Sequence, residues 1–128
     1  MEYLLDTHTF LWFLGGEDHL SLRARRMIND SDVVKYISVV SFWEIAIKVS
    51  LGKLELDLSY ESLRKHASFN GFIFLPLTFE HTIELVELNM YHRDPFDRML
   101  ISQALVERLT LISKDDNFKK YRNLRLYW

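Results

Sequence analysis

A chain of 128 residues has the length of one domain, and 48% hydrophobic residues are enough for a core without a covalent staple. With no cysteine, disulfides, a thiolate zinc site and a thiol nucleophile are excluded, and a reducing compartment suits the composition. A net charge of −2 excludes whole-molecule attraction to nucleic acid, so any polyanion contact must be local.

The chain opens with Tyr3-Leu4-Leu5, a short apolar run that reads as a buried parallel strand ending at Asp6-Thr7. Thr7 to Leu14 reads as a helix stopped by Gly15-Gly16, and Ser21 to Asn29 as a second helix. Val33 to Val39 is the next expected strand. Ser41 to Lys48 is expected to be a helix ending near Leu51-Gly52, with Ser41 as N-cap and Glu44 as its capping-box partner. A helix over Ser59–Ser68, a strand over Phe72–Leu75 closed by Pro76, and a helix over Phe79–Met90 follow.

His92-Arg93-Asp94-Pro95-Phe96-Asp97-Arg98 then starts a helix predicted to run from Pro95 to Glu107. Pro95 suits the first helical position, Asp94 the N-cap, and Asp97 the first turn. Two carboxylates thus sit at the positive end of one helix, flanked by Arg93 and Arg98. Simple capping of orphan N–H groups accounts for such a pair equally well. Leu109–Ser113 reads as a strand delivering Lys114-Asp115-Asp116, followed by a helical turn over Asn117–Tyr121 and an edge strand over Leu124–Tyr127.

Strands alternating with helices predict a single α/β domain over 1–128, with three α/β/α layers and a mainly parallel sheet of four to five strands. The five histidines show no zinc spacing, and no apolar run approaches the roughly 18 residues of a membrane span. The N-terminal stretch begins Met1-Glu2 and is broken by Asp6 and His8, unlike an export signal, so a soluble cytoplasmic protein is expected. Lys114 to Trp128 carries five basic residues against two acids, a net of +3, and Arg23, Arg25 and Arg26 form a second cluster; a solvated face explains either.

Sites in open parallel sheets form outside the carboxyl ends of the strands. Asp6 and Asp115 follow strands there, Glu44 lies early in a helix facing the same edge, and Asp97 points there if its helix starts beside that edge. Capping by Asp6, reciprocal bonding of Glu44 with Ser41, and an Asx turn at Asp115 are the bland alternatives. Four carboxylates meeting without histidine suit Mg2+ or Mn2+, and such a site suits phosphodiester hydrolysis.

These residues carry a family resemblance. Asp6 after an apolar strand, Ser-Phe-Trp-Glu-Ile around Glu44, Asp94-Pro95-Phe96-Asp97-Arg98 before Leu-Ile-Ser-Gln-Ala, and Thr110-Leu111-Ile112-Ser113-Lys114-Asp115 resemble the PIN-domain ribonucleases. Within that family the chain is most similar to the single-domain VapC-type toxins of toxin–antitoxin pairs. The resemblance implies an endoribonuclease in which Asp6, Glu44, Asp97 and Asp115 hold one or two Mg2+ or Mn2+ ions. It places Asp94 as a cap or secondary ligand, Asp116 as a turn residue, and Thr7 and Ser113 as hydroxyls orienting carboxylates or water. The basic residues near these acids, Lys48, Arg93, Arg98 and Lys114, are the expected RNA contacts. A homodimer and a VapB-like antitoxin are implied partners. Phe10, Trp12, Phe13, Phe42 and Trp43 could build the antitoxin groove, although core packing suits most of them better. A non-catalytic PIN-like RNA- or protein-binding module is the alternative. A receiver-type phosphoacceptor fits poorly, because no acid follows the third strand until Glu80.

Overall fold

The computed structural model describes residues 1–16 and 18–128. Five strands form one sheet: β1 (Glu2–Leu5), β2 (Val34–Ser38), β3 (Ile73–Leu75), β4 (Thr110–Ile112) and β5 (Leu126–Tyr127). Their order is β3-β2-β1-β4-β5, and every pairing is parallel. The first strand is therefore central, which brings its C-terminal end beside those of β2 and β4.

Helices α1 (Thr7–Gly15), α2 (Leu22–Asn29), α3 (Val39–Ser50), α4 (Leu63–Phe69), α5 (Phe79–Glu87) and α6 (Pro95–Glu107) supply the crossovers. Side chains alternate across a strand. Accordingly Tyr3 and Leu5 of β1 enter one core with Phe10, Ala24, Ile28, Leu63 and Ala67. Leu4 enters the opposite core with Leu100, Ile101, Ala104 and Leu111. Helices thus cover both faces of the sheet, as the α/β/α expectation required.

Element boundaries differ from expectation where tertiary bonds decide them. Helix α3 begins at Val39 and not Ser41, because Ser38 Oγ accepts from Val40 N at 3.0 Å and acts as the cap. Ser38 is fully buried and donates to Gln103 Oε1 at 2.6 Å, a partner invisible to local reading. Ser41 lies inside the helix and accepts a hydrogen bond from Thr7 Oγ1, so the predicted Ser41–Glu44 capping box does not form. The predicted Ser59–Ser68 helix divides into a 3₁₀ turn over Tyr60–Ser62 and α4. The Phe79–Met90 helix stops at Glu87, since Arg98 gathers the carbonyls of Leu88, Asn89 and His92 and turns the chain. Gly16 ends α1 at φ 65, a left-handed position that favours glycine. Among the described residues no helix is long and apolar enough to cross a membrane.

Candidate active site

The C-terminal ends of β1, β2 and β4 share one sheet edge, and an acid follows each: Asp6 after β1, Glu44 within α3 after β2, and Asp115 after β4. Asp6 follows β1 and is 5% exposed. Its Oδ1 accepts from Thr9 N at 2.9 Å, capping α1, and its Oδ2 accepts from Ser113 Oγ at 2.6 Å. Thr9 Oγ1 donates to Ile112 O, which ties α1 to β4 beside that carboxylate. Capping and site position are therefore compatible roles for Asp6. Burial pushes its carboxyl above the ordinary value, against the bonds from Ser113 and Thr9, which favour the charged form.

Glu44 sits in the second turn of α3 and is 2% exposed. Its Oε2 meets Lys48 Nζ at 2.6 Å, one helical turn on. Its Oε1 is buried without a hydrogen-bond partner, one of two such side-chain atoms among the described residues. A buried carboxylate oxygen left unpaired is costly. Thr7 Oγ1, donating to Ser41 Oγ at 2.9 Å, locks the neighbouring turns of α1 and α3 together.

The α6 start forms as its sequence predicts. Asp94 Oδ1 accepts from Asp97 N at 2.9 Å, with Pro95 at the first helical position. Asp97 Oδ2 lies 2.8 Å from His92 Nε2, and the two side chains are 18% and 16% exposed. Burial pushes the Asp97 carboxyl up to about 6; the His92 bond acts against this, while the charges of Asp94, Asp6 and Glu44 push it further up. Four carboxylates thus share one electrostatic neighbourhood. Asp115 joins from the other side: one of its oxygens, one of Asp97 and a nitrogen of His92 all lie within 4.8 Å of one another. Asp115 Oδ1 also accepts from Asn117 N at 2.9 Å, so the turn reading holds for it too. Its backbone N–H donates to Ser113 Oγ at 3.0 Å.

The expected basic contacts separate into two kinds. Lys114 is exposed and lines a cavity of about 270 Å³ with Asp6, His8, Trp12 and Asp115. Arg93 is also exposed. Lys48 is committed to Glu44. Arg98 is a correction: it is 8% exposed, and its guanidinium donates to the carbonyls of Leu88, Asn89 and His92, which removes it from any ligand. The four-acid site was drawn from the sequence without histidine, whereas His92 stands within 4.8 Å of Asp97 and Asp115. Its position two residues before the Asp94 cap was the available signal, because a helix entry folds back on its own first turn.

The aromatic groove residues also diverge. Phe10 is fully buried, and Phe13 and Phe42 pack against the same core. Trp12 stacks on His19 at 4.9 Å, and Trp43 is 57% exposed with its ring against Phe96. A larger cavity of about 440 Å³ lies away from the acids, lined by Val39, Phe42, Tyr60, Glu61, Leu63, Arg64 and Phe74.

A family model described as PIN domain matches residues 3–124. No curated protein matches the sequence significantly. Several solved structures share the fold. The structure of VapBC2 from Rickettsia felis bound to a promoter DNA fragment contains a chain with TM-score 0.76 and 20% identity, covering 100% of this chain and 99% of that one. VapBC-1 from nontypeable Haemophilus influenzae gives TM-score 0.72 and 16% identity over 99% and 97%. DNA-bound VapBC from Salmonella typhimurium gives 0.69 and 15% over 99% and 97%.

Proposed function

Because the chain belongs to the PIN-domain family, we propose that it is a divalent-metal-dependent endoribonuclease acting as the toxin of a toxin–antitoxin pair. The observation that carries this reading is Glu44 Oε1, a buried carboxylate oxygen without a partner in a neighbourhood of three further acids. Like charges held this close need a positive guest, and oxygen donors suit a hard divalent ion. Asp6, Glu44, Asp97 and Asp115 would hold Mg2+ or Mn2+. When bound, the ion supplies an activated water and neutralises charge developing on the leaving oxygen.

The chain's own residues orient that set. Ser113 and the Thr9 N–H hold the two oxygens of Asp6. Lys48 holds one oxygen of Glu44 and leaves the other without a hydrogen bond. Asp94 fixes the first turn of α6, which carries Asp97. Lys114 and Arg93, both exposed, are suited to phosphate oxygens of a single strand.

The VapBC neighbours support the toxin role and a VapB-like antitoxin partner. The apolar cavity around Phe42, Tyr60 and Phe74 suits a helix of that partner. Phe79, Ile83 and Val86 form an exposed row on α5, which suits self-association. Action in the cytoplasm, where RNA and the antitoxin are made, completes the reading. The decisive experiment incubates the purified chain with total RNA and Mn2+ or Mg2+, with and without EDTA. Cleavage that EDTA abolishes, and that Asp6→Asn and Asp97→Asn lack while remaining folded, is expected. Folded, metal-loaded protein that cuts no RNA would establish the non-catalytic module instead.

A further inference from the structure

We propose that His92 is itself a metal ligand, and that its nitrogen biases the site toward a first-row transition ion such as Mn2+ over Mg2+. The proposal rests on the nuclease reading above, since it concerns the ion that reading requires. A nitrogen of His92 and single oxygens of Asp97 and Asp115 are mutually within 4.8 Å, and His92 Nε2 is 2.8 Å from Asp97 Oδ2. Octahedral ligands at about 2.1 Å from an ion stand about 3 Å apart when adjacent and about 4.2 Å apart when opposite. The 2.8 Å pair matches adjacent ligands, and Asp115, within 4.8 Å of both, is near enough to join the same coordination sphere by a side-chain movement.

Two further observations separate this from a plain His–Asp ion pair. Asp115 follows β4, a segment separate from the His92–Asp97 stretch, and completes the trio. Glu44 Oε1, in a side chain 2% exposed, remains unpaired within reach of Asp97's charge. The edge of the His92 ring packs on Phe118, 6.1 Å between centroids, so the ring is held in place. Without an ion, Nε2–H donates to Asp97 Oδ2; an ion taking that proton's place would meet the Nε2 lone pair, with the remaining proton on Nδ1. Mg2+ keeps oxygen ligands and waters, whereas imidazole nitrogen suits transition ions. A site of four carboxylates alone would show no such bias.

The test uses the full chain, with Mn2+ bound and followed by electron spin-echo envelope modulation. Directly coordinated ¹⁴N is expected in the unsubstituted protein. His92→Gln should lose that coupling and bind Mn2+ at least about tenfold more weakly, with Mg2+ affinity changed less than about threefold. His8→Gln should retain the coupling, because His8 lines a cavity with Asp6 and Asp115 but lies outside the trio. Mn2+ binding without ¹⁴N coupling, together with unchanged affinity in His92→Gln, overturns the proposal: His92 then only positions Asp97, and the nuclease reading stands. Absence of saturable binding by either ion overturns both.

Discussion

Ser113 Oγ donates to Asp6 Oδ2 at 2.6 Å while accepting from the backbone N–H of Asp115 at 3.0 Å. One hydroxyl thus couples the acid at the end of β1 to the acid beyond β4. Removing it in Ser113→Ala should raise the Asp6 carboxyl further, because that bond favours its charged form. Mn2+ affinity should fall by about tenfold, as for other groups that orient ligands, and stability by about 1–2 kcal/mol. Calorimetric titration and urea denaturation check both numbers.

Asp97 makes stability depend on pH with a definite sign. Its carboxyl rises from 3.8 to about 6 on folding, so the folded state binds the proton more tightly than the unfolded chain. The stabilisation is complete below pH 4 and is lost as pH rises to about 6. Asp97→Asn should abolish this decline and leave the metal-free protein more stable than the parent at pH 7.5, by at most about 3 kcal/mol. Mn2+ should reverse the order by stabilising only the parent. Melting curves in EDTA and in Mn2+ at pH 4.5 and 7.5 test it; an Asp97→Asn protein less stable in EDTA at pH 7.5 contradicts a carboxylate penalised by burial and neighbouring charge.

Arg98 and Lys114 should respond oppositely. Arg98→Ala leaves the Leu88, Asn89 and His92 carbonyls without their donor and should cost about 2–4 kcal/mol in folding. The salt dependence of RNA binding by the folded fraction should not move. Lys114→Ala should leave stability within about 0.5 kcal/mol and reduce the salt slope of RNA binding by about 0.7. Fluorescence anisotropy over a salt series separates the two.

Gln103 links three elements away from the acids. It accepts from Ser38 Oγ at 2.6 Å and donates to Pro76 O at 3.2 Å, and it lies 3.4 Å from His81 Nδ1. Gln103→Leu strands the buried Ser38 hydroxyl that caps α3 and should cost about 1–3 kcal/mol. Because α3 carries Glu44, metal affinity should fall along with stability. Ser38→Ala with Gln103→Leu should cost less than the sum of the two single changes, which a double-mutant cycle measures.

Val86 is 84% exposed on α5, in a row with Phe79 and Ile83. Val86→Glu should leave the melting temperature nearly unchanged and shift the elution volume of a self-associated protein toward that of the monomer. Light scattering gives the mass directly.

Much of this architecture is legible in the residue order. The alternation of short apolar runs with helical periodicity, and Asp94-Pro95 at the start of α6, are local signals, and the corresponding elements formed. Hydrogen bonds to distant partners were not legible. Ser38 displaced Ser41 as cap where Gln103 of α6 meets it directly, and α5 ended early where Arg98 binds the carbonyls that follow it. Charge alone misassigned Arg98, since a basic letter does not reveal whether its guanidinium meets solvent or a loop's carbonyls.

The amino-acid order by itself determined which residues form strands and helices, and that acids end the segments facing one sheet edge. Propensity, capping and hydrophobic period act over a few residues, so a linear text records them. Only the tertiary structure decided that Asp97 is buried near the charges of Asp94, Asp6 and Glu44, that Glu44 keeps an unpaired oxygen, and that His92 and Asp115 come within 4.8 Å of each other. Those facts depend on strand order and helix packing, which set distances between side chains far apart in the chain.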